Sequence, residues 1–404
     1  MIFNSSKYNS HWSDKKLSDL GYFRRGKSRH RPRNDPNLFE NGIYPLVQTG
    51  EVKQANLYIN NHNACYNEFG LSQSELWPEN TLCITIAANI AETALLGYPM
   101  CFPDSIVGFN ADKNESSELF MHYVFTYIRK AIQNSASGSI QDNISIDYLT
   151  ELNFKVPSKK FQDEIVTILS MLDKKIALNN RINTELESMA KTLYDYWFVQ
   201  FDFPDSKGKP YKTSGGKMVY NETLKREIPA GWSASSLGEI AELYQPKTIS
   251  GKDFLDDGKY LVYGANGVVG RFNEYNHIES VVTITCRGNT CGNINITRPY
   301  SWVTGNAMVV KPKCDDINPY YINNLLLISE VGKVITGSAQ PQITRANLAP
   351  MKVINPMPEI TKKFSVVVGG LFNKHINILD ENEKLSKLRD WLLPLLMNGQ
   401  VMVK

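Results

Sequence analysis

SASGSIQDNIS at residues 135–145 and ITGSAQPQIT at residues 335–344 are two versions of one loop, and their agreement organises the whole chain. The shift that carries Gly138 onto Gly337 also carries Leu149 onto Leu348 and Pro157 onto Pro356. It further carries a strict seven-residue series, Ile165, Leu172, Asn179, Leu186 and Leu193, onto Phe364, Leu371, Ile378, Leu385 and Leu392. So long a repeat is not a solenoid period of roughly 20–50 residues; it is a duplicated module. Each copy reads as a globular part followed by a long helix, with divisions at 1–157, 158–200, 201–357 and 358–404. Two copies on one chain imply two sites, or one site with two halves.

Within each globular part, short β-rich runs are separated by Gly, Pro and Asn. TLCITIAANIAETALL and SIVGFN are those of the first copy, VVTITCRG and AMVVKPK those of the second. SSELFMHYVFTYIRKAI and NPYYINNLLLIS read as helices, and YGANGVVGR as a turn between short strands. The fold class is α+β, a tandem mixed α/β module.

Pro157-Ser158, and Pro358 with Thr361, suit the starts of the two long helices. Ile168, Ile182, Met189 and Tyr196 extend the first apolar stripe, Val367 and Leu388 the second. Heptads sustained this long favour a coiled-coil seam, and the simplest partner of each helix is the other. Packing of each helix on its own domain is the plainer arrangement, and it would not need strict heptads. Asn179 on the seam costs stability but helps fix register. From Lys160 to Phe198 the first helix is roughly 57 Å long at its standard rise. A turn of B-DNA is about 34 Å, so the rod could act as a ruler between two DNA segments.

Hydrophobic content of 42% and charged content of 21% are those of an ordinary globular protein with room for several cores. No apolar run approaches the roughly 18 residues that span a bilayer, and MIFNSSKYNSHWSDKK lacks the apolar core of a signal peptide. A cytoplasmic protein is expected, with no membrane partner. The six cysteines have no CxxC spacing, so free thiols are expected and no metal site. Net charge is only +3, but Arg24, Arg25, Lys27, Arg29, His30, Arg31 and Arg33 are clustered, with acidic residues largely elsewhere. Such a cluster can neutralise phosphates; a solvated loop with no partner is the alternative.

Catalytic signatures are poor, and no catalytic residue is assigned. SGGKMVY lacks the leading glycine and the hydroxyl residue of a phosphate loop. Asn318-Pro319-Tyr320 is only a fragment of an adenine-methyltransferase motif, and no Asp/Glu-x-Lys partner accompanies Asp104 or Asp205. The loops instead carry groups that bond base edges: Arg287 and Asn289, then Gln340, Gln342, Thr344 and Arg345, and in the first copy Gln141 and Asn143. Arg pairs bidentately with guanine, Asn or Gln with adenine. The same residue types also form turns and cap helices.

KTLYDYWFVQFDFPDSKGKPYKTSGGKMVYNETLKREIPAGW, at 191–232, resembles the central conserved region of the specificity (S) subunits of Type I restriction–modification systems. YGANGVVGRFNEYN, TCRGNT and TGSAQPQITRANL are similar to motifs of that family's target recognition domains, and LRDWLLPLLMNGQV to its C-terminal helix. The resemblance implies two target recognition domains, each reading half of a split duplex DNA target, and two spacer helices packed as an antiparallel coiled coil. It implies no catalysis by this chain. Two modification subunits using S-adenosylmethionine and two restriction subunits using ATP and Mg2+ would be its partners. Tyr196, Trp197, Phe198 and Trp391, with Tyr194, form an aromatic group that suits either that partner interface or a core cap. For the second half-site the candidates are Arg287, Asn289, Gln340, Gln342, Thr344 and Arg345. For the first they are Arg24, Arg25, Lys27, Arg29, Arg31, Gln141 and Asn143. The alternative from another class is a self-contained nuclease or methyltransferase with paired DNA-binding domains.

Overall fold

The computed structural model describes residues 8–136, 143–314, 317–337 and 340–401. It forms two compact units, one of the chain up to Asn179 together with Glu381 onward, the other of Asn180–Asp380. The helices Lys159–Tyr194 and Pro358–Met397 therefore each give one half to either unit.

In the first unit the central sheet runs in the order Gly21–Arg25, Ile106–Ala111, Leu82–Thr85, Thr93–Leu96 and Tyr58–Ile59. Leu82–Thr85 is buried along its whole length, as a strand covered on both faces must be. Leu82 and Ile84 pack with Phe120 and Val124 of the helix Glu118–Ala136. Cys83 points the other way, into a cluster with Trp77, Met100 and Phe102. Trp77 and Phe102 stack over Gly108, where a Cβ would lie 2.6 Å from the indole, so only glycine fits. A second sheet has the order Ala64–Tyr66, Tyr44–Leu46, Met100–Cys101, Leu76–Trp77.

The second unit repeats this plan. Its central sheet runs Ala241–Tyr244, Ala307–Pro312, Val282–Thr285, Ile294–Ile296, and its other sheet Gly267–Phe272, Tyr260–Gly264, Trp302–Val303. The parallel pairing of Tyr260–Gly264 with Trp302–Val303 matches that of Tyr44–Leu46 with Met100–Cys101. One difference stands out. Tyr260–Gly264 and Gly267–Phe272 are joined by the turn Ala265-Asn266, whereas Tyr44–Leu46 and Ala64–Tyr66 are joined by residues 47–63. That insertion carries the helix Thr49–Gln54 and the edge strand Tyr58–Ile59.

The FDFP segment is a packed corner of the second unit. Phe203 stacks on Tyr211 at 4.7 Å and on Trp232 at 5.0 Å. Asp202 accepts from the Thr213 amide (2.7 Å) and hydroxyl (2.5 Å), and these bonds lower its pKa.

All ten seam positions, Ile165 to Leu193 and Phe364 to Leu392, are at least half-buried. In the first unit Asn179 donates 2.8 Å bonds to Glu381 and Asn382, while Arg389 reaches Asp173 at 2.8 Å. In the second, His375 lies 3.5 Å from Glu187, and the Trp197 and Phe364 rings are 5.6 Å apart. The helix segments thus run antiparallel within each unit. The companion positions differ from those expected: Met189 (51% exposed), Tyr196, Val367 and Leu388 face outward. The buried companions are Leu169, Asn183 and Ala190, four residues after members of the series rather than three. The series occupies the d-type position, and the step from d to the next a is four. Asn183 is buried with neither side-chain polar atom paired among the described residues.

Candidate nucleic-acid interface

In the second unit the chain leaves the buried strand Val282–Thr285 into an exposed loop. Arg287 faces Gln342 across an antiparallel bridge, Ile343 donates to the Cys286 carbonyl (2.9 Å) and Cys286 to that of Asn306 (3.1 Å). Gly288 and Gly292 take φ of +84° and +94°, the left-handed conformation that folds the loop back on itself. The result is a cleft of about 750 Å³ lined by Arg287, Asn289, Asn306, Gln340 and Gln342 with Ala265. Every one of those polar side chains is exposed, and none of the lining residues is acidic. Guanidinium and amide groups without carboxylates suit the edges of bases on a polyanion.

Two sequence candidates stand outside this cleft. Thr344 caps the short helix Arg345–Leu348, its hydroxyl accepting from the Asn347 amide at 3.2 Å. The cap engages one lone pair of the hydroxyl and gives Thr344 a structural role. Arg345 is exposed in that helix and does not line the cleft. Asn306 and Ala265 were missed; the turn Thr304-Gly305-Asn306 before AMVVKPK was the available signal for the first.

The first unit has the same construction with different side chains. Ala87 faces Asn143 across the equivalent bridge, Ile144 donates to Ile86 (2.8 Å) and Ile86 to Ser105 (2.9 Å). Ala88 stands where Gly288 does, also left-handed at φ +61°. Ser145 caps the helix Ile146–Glu151 as Thr344 caps its own. Gln141 lies outside the described residues; Asn143 is exposed. Across from this loop, Lys53 of the inserted helix donates to Asn89 Oδ1 at 3.1 Å.

The basic stretch is more structural than expected. Arg24 and Lys27 (2.8 Å) both pair with Glu75, and Arg33 binds Asp104 through both carboxylate oxygens at 2.7 and 2.9 Å. Arg31 lies 3.7 Å from Asp104, and His30 bonds Asp35 at 2.7 Å. Burial first, then the guanidinium groups of Arg24 and Arg29, lower the Lys27 ammonium below its ordinary pKa. The acids are thus brought to the stretch by folding rather than kept elsewhere. Arg25 and Arg29 remain exposed, and among the described residues no ion pair engages them.

The aromatic group divides. Phe198 (1% exposed) and Trp197 (5%) belong to the second unit's core, against Phe364 and, for Phe198, Tyr321 and Trp232. Of this group Tyr196 and Trp391, the latter 62% exposed, face outward. Trp197 nonetheless forms part of an apolar groove of about 600 Å³ with Pro204, Val366 and Val367, flanked by Lys362 and Lys363. Among the described residues no group of three or more His, Cys, Asp or Glu could hold a metal ion, and no helix is long and apolar enough to cross a membrane.

Comparison with known proteins agrees with this geometry. The chain is 24% identical to the Type I restriction enzyme MjaIX specificity subunit of Methanocaldococcus jannaschii, over 97% of this chain and 94% of that one. It is also 24% identical to the HindI specificity subunit of Haemophilus influenzae, over 71% and 75%. The crystal structure of a Type I restriction–modification S subunit from M. genitalium shares the fold, with a TM-score of 0.56 at 18% identity, covering 97% of this chain and 96% of that one. The family model described as the Type I restriction modification DNA specificity domain matches twice, at residues 9–188 and 229–381. Those two matches take in most of the chain, which belongs to the Type I restriction modification DNA specificity family.

Proposed function

We propose that this DNA specificity subunit reads a bipartite duplex target, one half per unit, with the long helices setting the unread gap. The observation that carries the reading is the cleft of Arg287, Asn289, Gln340 and Gln342, built on a bridge that recurs in the first unit as Ala87 and Asn143. Two independently varied copies of one reading frame suit two different half-sites. Arg25 and Arg29 are the phosphate contacts of the first unit.

Chemistry belongs to partners. Two modification subunits, using S-adenosylmethionine, methylate adenine within the target, and two restriction subunits supply ATP- and Mg2+-dependent cleavage in the cytoplasm. The apolar groove at Trp197, Val366 and Val367 is where a modification subunit docks, since a dry floor with a polar rim is what interface anchors fill. Sequencing of methylated adenine across the genome, in cells carrying the chain and its modification subunit, tests this. A motif of two short specific halves and a fixed gap is expected. Adenine methylation or nuclease activity by the isolated chain would favour the self-contained enzyme instead.

A further inference from the structure

The two reading loops are equivalent in backbone and unequal in chemistry. Where the second unit presents Arg287, the first presents Ala87, whose side chain has no hydrogen-bonding group to offer a base edge. At the same place the first unit has exchanged the turn Ala265-Asn266 for residues 47–63, and the exposed Lys53 of that insertion reaches back over the loop to Asn89. An insertion that delivers a cation where its sister domain carries one on the loop itself compensates for the missing guanidinium.

The pair has a definite hydrogen-bonding sense. An ammonium can only donate, so Lys53 fixes the Asn89 amide with Oδ1 turned toward Nζ. A free asparagine reads adenine by accepting from N6 and donating to N7, and here the ammonium already holds one of the two lone pairs of Oδ1 and competes with N6 for that oxygen. What the pair adds outward is chiefly donors: the other Nζ protons and the Asn89 Nδ2 group, for which no protein partner exists among the described residues. Two acceptors side by side, N7 and O6, are the major-groove edge of guanine.

We infer that Lys53 and Asn89 are the specificity-determining pair of the first half-site, and that they select guanine at one position of it. The inference rests on the bipartite reading proposed above, and one experiment separates the two. Methylated motifs are determined for the complete complex carrying the wild-type chain, Lys53→Met, Lys53→Arg, Asn89→Ala and Arg287→Ala. The half changed by Arg287→Ala identifies the second unit's half, and the other half belongs to the first unit. Lys53→Met, which frees Oδ1, should lower the preference for guanine at one first-half position about tenfold or more, with adenine gaining, as the loss of a bidentate-class contact requires. Lys53→Arg, which keeps the donors, should retain guanine, and the second half should not change. A Lys53→Met complex that methylates nothing while Lys53→Arg keeps the wild-type motif would mark Lys53 as a phosphate contact, since charge as well as donor capacity separates the two, and overturns the pair. An unchanged first half in both Lys53→Met and Asn89→Ala overturns the pair while leaving the bipartite reading intact. A wild-type complex with no bipartite motif overturns that reading itself.

Discussion

Arg24 lays its guanidinium over the indole of Trp77, 4.8 Å from the ring centroid, and pairs with Glu75. Trp77 in turn stacks on Phe102 at 4.9 Å over the Cβ-less face of Gly108. The most conspicuous basic residue of the first unit is therefore a clamp on its own core. Arg24→Ala should lower the unfolding free energy by about 1–2 kcal/mol, the sum expected of a partly buried cation–π contact and one ion pair. Arg29→Ala should leave the melting temperature unchanged and weaken binding to all DNA sequences alike. The slope of log affinity against log salt should become shallower by about 0.9 for that one phosphate contact. Thermal unfolding and salt titrations of the two variants check the assignment, which fails if their effects are exchanged.

A second clamp joins the long helices within the first unit. Asp173, nearly buried, takes Arg389 on Oδ1 at 2.8 Å and the Tyr123 hydroxyl on Oδ2 at 2.6 Å. Asp173→Ala leaves both donors without their acceptor and should cost about 1.5–3 kcal/mol, the range for hydrogen bonds to a charged group. Arg389→Met, which keeps the packing of the stem, should cost less because Tyr123 retains its partner. Equal losses in denaturant unfolding would mean that Tyr123 contributes nothing.

Much of the architecture was legible because it is written in local patterns. The four-residue run Leu82–Thr85 announces a strand buried on both faces, and YGANGVVGR a hairpin turn. The seven-residue series marks the seam. Its companions were misjudged because d-to-a and a-to-d steps differ by one residue, and a series read alone does not say which it is. The basic stretch was misjudged for another reason. Glu75 and Asp104 lie dozens of residues from the arginines they pair with and meet them only through the sheet pairings of the folded unit. Trp197 and Phe198 sit at a helix end, where an aromatic residue serves a core or an interface equally well; only burial decides. Of the residues proposed to read DNA, those in the glycine loops stand out in the sequence, whereas Lys53 is hidden in an insertion.

The groove beside the second long helix should behave as an interface. Val366 is 74% exposed and Val367 is half-exposed, so neither contributes much to the fold. Val367→Asp should leave the chain's melting temperature within about 1 °C while reducing capture of the modification subunit at least tenfold, as a charge buried in a dry interface requires. Size-exclusion chromatography of the mixed proteins distinguishes this from an uninvolved surface, for which assembly would be unchanged.

Acid should destabilise both units through buried histidines. Burial pushes His277 down to about 4, with Lys311 adding to it, and His122 down to about 3, with Arg129 and Arg389 adding to it. Each folded pKa lies below that of a free histidine near 6.5, so the unfolded chain binds the extra proton first. Their stabilising contribution is complete above about pH 6.5 and is lost as pH falls toward the folded values, at up to ~1.4 kcal/mol per pH unit for each group. His277→Gln should flatten the fall between pH 6 and 4 in the unfolding free energy, whatever its effect at pH 7. An unaltered slope would place the acid sensitivity elsewhere.

Division of labour between the two units is tested most directly at Arg287. The motif methylated by the complete complex is determined for the wild-type chain and for Arg287→Ala by sequencing of modified adenine. The account predicts that one position in one half becomes degenerate, corresponding to a loss of about 1–3 kcal/mol of discrimination, while the other half and the gap stay as they were. Degeneracy in both halves, or a motif identical to that of the wild type, would contradict it.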